Sequence, residues 1–261
     1  MIGVGYRHEL AGWIDSHPEG VDCLEITAEH FYGAPMERLD ELRRSFRLFV
    51  HGLGLSLGTP GPLDRERLKN FARVVNAAQP DWISEHVAFT RTTEVDLGHL
   101  NPLRPTRETA KVVAAHAREI ADVCGKRLLL ENITSHIRID GELSETGFLN
   151  EICSQADCGI LLDVTNLYIN SRNHGFDPLC WLRELDRSRI GQLHIVGYSE
   201  EGGRVVDNHA APIQTELLDL AKAVLEYAPV KAVILERDAN FPGPTVMQSE
   251  IEKLRRLFGR N

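Results

Sequence analysis

The chain has 261 residues, 43% of them apolar and 26% charged, which suits one α/β barrel or two small domains. Its 29 Lys and Arg against 38 Asp and Glu leave a net charge of −9, which argues against a general nucleic-acid binder. No run approaches the roughly 18–20 apolar residues that span a bilayer, and the N-terminal MIGVGYRHELAGW lacks the order of a signal peptide, so a soluble, cytoplasmic protein is expected.

Eight short β-rich runs punctuate the sequence, at 2–6, 22–27, 47–52, 82–89, 127–132, 159–164, 192–197 and 232–237. Segments with helical spacing lie between them, at 65–78, 106–124, 147–155, 212–227 and 246–258. In the segment 106–124, Val112, Val113, His116, Ile120 and Val123 share one face and Gly125 stops the helix. Continuously apolar strands alternating with helices predict a parallel sheet covered on both sides, and eight such units predict a closed (β/α)8 TIM barrel. A doubly wound sheet is the alternative, but no GxGxxG follows the first strand. Without a linker or low-complexity tract, one domain over 1–261 is expected. Long loops at 51–63, 90–105 and 198–212 would build the active-site face.

The strand ends carry the chemistry. His51 closes RLFVH, His86 closes WISEH, Glu131 closes RLLLE and Asp163 closes GILLD. His194 sits in QLHIVG, Asp207 and His209 in VVDNHA, and Glu236 closes AVILE. Pooled at one end of a barrel, four imidazoles and four carboxylates would be costly to bury without cations, so they predict a multinuclear metal centre. Imidazole and carboxylate without thiolate suit iron, manganese or zinc. Four carboxylates can neutralise two divalent ions, and a third needs a further anion. Taken singly, each residue has a plainer role: His51 and His86 as hydrogen-bonded barrel histidines, Glu131 and Asp163 as caps, Asp207 at a bend. The metal reading rests on their convergence.

Around this set, Glu25 ends the second strand on the same face, as a packing group or a partner that orients a ligand. Asn166 and His174, in DVTNLYINSRNHG, could reach a metal or orient its ligands. His30 is a candidate for substrate contact, whereas His8, His17, His99, His116 and His136 read as surface or structural. Arg7, Arg104, Arg138, Arg172 and Arg237 are candidates to grip a substrate carboxylate, most of them expected to be solvated or paired. The five cysteines, Cys23, Cys124, Cys153, Cys158 and Cys180, show neither CxxC pairing nor zinc-finger spacing and fit a reducing compartment. No GxSxG, P-loop or HExxH occurs, and the glycines of HGLGLSLGTPG suit a tight loop beside His51.

At these same residues the sequence resembles the multinuclear non-heme iron-dependent oxidative enzymes, the peptide-modifying TIM barrels related to the methanobactin biosynthesis oxidase. The matching stretches are HGLGLSLG followed by PLD, SEHVAF, LLLENI, DCGILLDVTNLYINSRNHGFDP, LHIVG, DNHA and ILERD, spanning His51 to Asp238, with weaker similarity in GVGYR and CLEITAEHF. The resemblance implies two or three iron ions, dioxygen as co-substrate, and modification of a ribosomally made precursor peptide, frequently at cysteine. It also implies a small partner protein that recruits the peptide. Carried onto this chain, the ligand set would be His51, His86, Glu131, Asp163, His194, Asp207, His209 and Glu236. Asn166 and His174 match the same motif without an assigned role. DNH stands where the family often has DTH, VTN for VNN and SEH for SDH; none of these changes removes a ligand.

Two rival readings remain open at the level of sequence. A divalent-metal hydrolase or isomerase of the xylose-isomerase-like or endonuclease IV-like type would also gather His, Asp and Glu at strand ends. A metal-loaded, non-catalytic peptide-binding scaffold would need fewer ligands, since closed structural zinc sites use about four.

Overall fold

The computed structural model describes residues 1–92 and 94–259. In chain order the elements are β1 (Ile2–Tyr6), α1 (Ala11–Asp15), β2 (Cys23–Thr27), α2 (Glu37–Ser45), β3 (Arg47–His51), α3 (Arg65–Ala78), β4 (Ile83–His86), β5 (Phe89–Arg91) and β6 (Asp96–Asn101). There follow α4 (Arg107–Cys124), β7 (Leu128–Glu131), α5 (Glu145–Ala156), β8 (Gly159–Asp163), α6 (Val164–His174), α7 (Pro178–Glu184) and β9 (Ile190–Ile195). The chain ends with β10 (Gly197–Glu201), β11 (Arg204–Ala211), α8 (Thr215–Tyr227), β12 (Ala232–Leu235) and α9 (Pro244–Phe258).

Eight strands close into a parallel barrel in the order β1-β12-β9-β8-β7-β4-β3-β2, as the alternation of strand and helix predicts. Register sets the level of the strand ends: His86 pairs with Glu131, Asp163 with His194 and Thr27 with His51. Because successive side chains alternate between faces, residues two apart on a strand share the barrel interior. Cys23, Phe49, Ala232 and Ile234, joined by Met1 and Trp82, form a small apolar cluster separate from the main core. The main core lies between strands and helices, where Val113, Ile120, Ile152, Leu217 and Ile251 are sealed from solvent.

Local chemistry explains the helix starts. Asp64, Thr106 and Ser144 accept backbone N–H bonds at the first turns of α3, α4 and α5, and Gly125 ends α4 at φ 60°. One expectation for α4 needs correction: its buried face runs through Ala110, Val113, Ala117, Ile120 and Cys124, while Val123 is exposed. His116 is buried, its two ring nitrogens bonded to the carbonyl oxygens of Leu57 and Gly61, so it pins the loop behind His51.

The structure also departs from the sequence reading where strands meet loops. The run 82–89 is two strands, because the chain leaves the barrel after His86 and turns into the antiparallel β5–β6 hairpin. A second hairpin, β10–β11, occupies most of the loop 198–212. Helices α1, α2, α6 and α7 have no counterpart in the predicted elements. In α6 nearly every face is covered, so the sequence lacks a polar stripe to mark it as helical.

Candidate metal centre

The strand ends bring three groups of donors together at the mouth of the barrel. His51, His86 and Glu131 form the first, Glu131, Asp163, His194 and Glu236 the second, and His209, Glu236 and Asp238 the third; within each, one atom per residue lies within 4.8 Å of the others. Two carboxylates join the groups. Glu131 faces His51 Nε2 at 3.3 Å and His86 Nε2 at 3.4 Å with Oε2, and His194 Nδ1 at 3.1 Å with Oε1. Glu236 Oε2 lies 2.9 Å from His194 Nδ1 and 3.6 Å from His209 Nδ1.

The donors are held by a built surround. Ser84 Oγ lies 2.8 Å from His51 Nδ1, turning Nε2 toward Glu131. Glu85 Oε1 accepts the backbone N–H of His86 at 2.8 Å and stands 3.3 Å from its Nδ1, while its other oxygen accepts Leu55 N–H. Asn132 bridges to both backbone groups of Asp163, and Asn166 donates to the Asn132 carbonyl. Asp163 has the capping role read for it, and its other oxygen is free for a second one. Oδ1 caps α6 by accepting Asn166 N–H at 2.7 Å, and Oδ2 is buried without a partner.

Buried donors without hydrogen-bond partners are the strongest sign of a cation site. Five atoms here make no hydrogen bond of good geometry: His51 Nε2, Glu131 Oε2, Asp163 Oδ2, Asp207 Oδ1 and His209 Nδ1, all but Asp163 Oδ2 facing other members of the cluster at ion-pair distance. A buried polar atom left unsatisfied costs about 1–3 kcal/mol, and these belong to residue types that bind metals. The residues present therefore fit a set of divalent ions.

The electrostatics agree. Burial, reinforced by Glu131, pushes the Asp163 carboxyl well above its usual range. Burial also opposes the charged form of His194 and His209, but Glu236 and the other carboxylates hold both well above the ordinary imidazole range. His86 is likewise raised against its burial, to about 9, chiefly by Glu131 and Glu85. His51 goes the other way, lowered by burial and by the neighbouring His86 and His194. Glu236, despite burial, is held well below its usual range by His194 and His209. Without cations the site thus keeps protons on imidazoles to balance its carboxylates; bound ions would replace them.

The remaining candidates separate cleanly. Asp207 stands 2.8 Å from His209 Nε2 but belongs to none of the three donor groups. Glu25 is inside the barrel, 2.6 Å from His194 Nε2. His174 bonds the Ser135 carbonyl at 2.8 Å and lines a cavity of about 420 Å³ with Asn132, Ile133, Arg138, Phe148 and Trp181. His30 is exposed. Among the arginines, Arg7 binds Asp238 at 2.7 Å through Nε and lies 3.5 Å from Glu236, Arg104 donates to the Asp140 carbonyl, and Arg237 is buried against Glu250. These three are paired. Four cysteines are buried and Cys180 is exposed.

Asp238 is the donor that sequence reasoning missed. It lies two residues past the Glu236 strand end, in a stretch of irregular backbone, and its Oδ2 is 3.0 Å from His209 Nδ1. The spacing Glu236, Asp238 carries a usable signal, but an Asp just beyond an apolar run reads equally as a solvated loop residue. His209 itself is held at φ 47°, a left-handed conformation that histidine adopts uncommonly and that recurs at functional sites.

Comparisons with known proteins give this geometry a family. A UPF0276 protein of Chromobacterium violaceum is 33% identical over 263 residues, covering 99% of this chain and 95% of the relative. Another, from Anaeromyxobacter sp. strain Fw109-5, is 35% identical over 246 residues, covering 92% and 86%. Among solved structures, D-psicose 3-epimerase from Clostridium cellulolyticum H10 superposes with a TM-score of 0.68 at 15% identity, covering 98% and 99% of the two chains. Endonuclease IV from Thermus thermophilus gives 0.64 at 18% identity, covering 100% and 99%. At such identities these two show the barrel fold alone. Residues 1–258 match the family described as "RiPP precursor modification enzyme MbnB/TglH/ChrH", and to that family the chain belongs.

Proposed function

We propose that the protein is an iron-dependent oxidative enzyme that uses dioxygen to modify a ribosomally made precursor peptide at a cysteine residue, in the cytoplasm and with a small recruiting partner protein. Family membership supports the peptide substrate class. The observation that carries the metal part is the series of three donor groups joined by Glu131 and Glu236, with five buried donor atoms making no hydrogen bond of good geometry. His51, His86, Glu131, Asp163, His194, Glu236 and His209 would hold two or three ions, with Asp207 or Asp238 completing the outermost position.

Bound iron would supply a Lewis acid that lowers a thiol pKa and a one-electron partner for dioxygen. The chain supplies the rest. Glu131 faces His51 and His86 with one oxygen and His194 with the other, so it would help hold ions in both of its donor groups. His51, His86, Glu131 and His194 are nearly sealed from water, so one end of the centre is dry. His209, with 16% of its side chain accessible, and Asp238, with 41%, mark the open end, where a peptide thiol can arrive. The cavity beside Asn132 and Ile133 offers room for residues that flank the reacting one.

Elemental analysis of protein purified without oxygen or chelator tests the metal, and a peptide assay with oxygen admitted tests the chemistry. Two to three irons per chain and an oxygen-dependent mass change at cysteine are expected. Stoichiometric zinc or manganese, with iron-reconstituted protein inert toward oxygen, would move the protein to hydrolysis or isomerisation.

A further inference from the structure

A line of hydrogen bonds runs through the barrel interior from its apolar cluster to the metal centre. Trp82 Nε1 donates to Gln192 Oε1 at 2.5 Å. Gln192 Nε2 donates to Glu25 Oε2, and Glu25 Oε1 lies 2.6 Å from His194 Nε2. Gln192 and His194 are wholly buried and Glu25 is 2% exposed. Trp82 is fixed in turn by stacking on Phe49, with ring centroids 4.2 Å apart and planes inclined by 13°.

The direction of the first two bonds in this line is forced by Trp82, and the 2.6 Å contact of His194 Nε2 with Glu25 against 3.2 Å with Gln192 selects the third. An indole N–H can only donate, so the facing atom of Gln192 must be its carbonyl oxygen. The Gln192 amide nitrogen then points at Glu25 and needs an acceptor, which a carboxylate is. The second Glu25 oxygen is left to accept a proton from His194 Nε2. The Gln192 and His194 nitrogens lie 3.2 Å apart because both are directed at that one carboxylate. With Nε2 keeping its hydrogen on Glu25, the Nδ1 proton that now faces Glu131 and Glu236 is the one a cation would displace, leaving the Nδ1 lone pair to bind it.

We propose that Trp82, Gln192 and Glu25 are positioning residues that fix the ring orientation and Nε2–H tautomer of His194, so that Nδ1 is the metal donor of the second group. None touches the reacting atoms. Metal-binding histidines generally donate their other N–H to an orienting acceptor, and loss of such partners weakens metal binding about 10–100-fold. Here the determinant is relayed through two further side chains to an indole on a different strand connection. The inference rests on reading His194 as a metal ligand, and is independent of whether the ion is iron.

The test uses zinc and cobalt(II) titrated separately into chelator-treated protein. Trp82→Phe keeps an aromatic ring beside Phe49 but removes the N–H together with part of the indole; Gln192→Leu cuts the line. Phe49→Leu is the control, because it loosens the same cluster without touching a bond of the line. We expect Trp82→Phe and Gln192→Leu to weaken binding of one zinc ion about 10–100-fold and to alter the cobalt(II) absorption bands. In zinc-loaded protein, 1H–15N spectra should show His194 losing its single Nε2–H form. Phe49→Leu should lower the melting temperature and leave affinity, bands and tautomer as in the wild type. Wild-type affinity and tautomer in folded Trp82→Phe, or an equal loss in Phe49→Leu, would overturn the proposal. Wild-type protein that binds neither ion would remove the metal reading itself, and this inference with it.

Discussion

At the scale of single residues, the centre is organised by two carboxylates that each serve two neighbours. Glu131→Gln keeps the volume but replaces an acceptor oxygen by a donor facing His51 and His86 or His194. It should leave at most one ion per chain, in the third group, as counted by elemental analysis on anaerobic protein. Glu236→Gln should do the reverse, sparing the ion held by His51, His86 and Glu131. If both variants keep the wild-type count, neither carboxylate is shared. His51, His86, Glu131, Asp163 and Glu236 were legible because each breaks or follows an apolar run, whereas His194 and His209 join the same groups from within their strands. Gln192 was not singled out, although it lies two before His194 and must share its face. An amide carries no chemistry that draws attention until its neighbours are known. Glu25 was weighed as packing or as an orienting partner, and its 2.6 Å contact with His194 favours the second.

At the scale of elements, the two antiparallel hairpins decide how much of the site lies outside the barrel. Their strands were invisible as such, since β5 has three residues and β11 is largely polar and only partly buried, without the apolar run that marks a barrel strand. The third donor group depends on β10–β11, which starts at Gly197. A Cβ there would stand 2.0 Å from the Pro212 oxygen and 2.5 Å from that of Ala211. Gly197→Ala should therefore displace the hairpin and remove one ion while the barrel still folds, read by metal count and circular dichroism together. A second prediction concerns α3, whose cap Asp64 is held below its usual range mainly by the Arg67 and Glu66 backbone N–H groups. A depressed carboxyl stabilises the fold above its unfolded pKa of about 3.9, and that contribution disappears as pH falls through the lower folded value. Asp64→Ala should cost about 1 kcal/mol at neutral pH, and the difference from wild type should shrink below about pH 4 in chemical denaturation.

At the scale of the molecule, closure of the barrel and the identity of its charged end were both readable from the regular alternation of eight apolar runs. The hidden part was whatever the barrel does not impose: caps, hairpins and a donor beyond the last strand. Bound ions should hold this architecture together. Free metal at about a thousand times Kd adds about 4 kcal/mol to folding. For a chain of this size that corresponds to about 8–16 °C in melting temperature, so chelator treatment should lower the melt by that amount, and readdition should restore it. An unchanged melt in a protein shown to have lost its metal would mean that the ligands are already satisfied without it.

The three donor groups do not share one degree of enclosure. His51 and His194 are within 1% of complete burial, on rigid strands, whereas 16% of the His209 side chain is accessible and its backbone belongs to a hairpin. Occupancy should then respond to supply in steps. Scarce metal would fill the inner pair and leave the hairpin loose, and abundant metal would recruit the last ion and still it. Amide exchange at residues 204–211, followed through successive equivalents of metal, should slow only after the inner positions are full. A cell's metal status would in that way be written into the mobility of one short ribbon, at the mouth through which a peptide must pass.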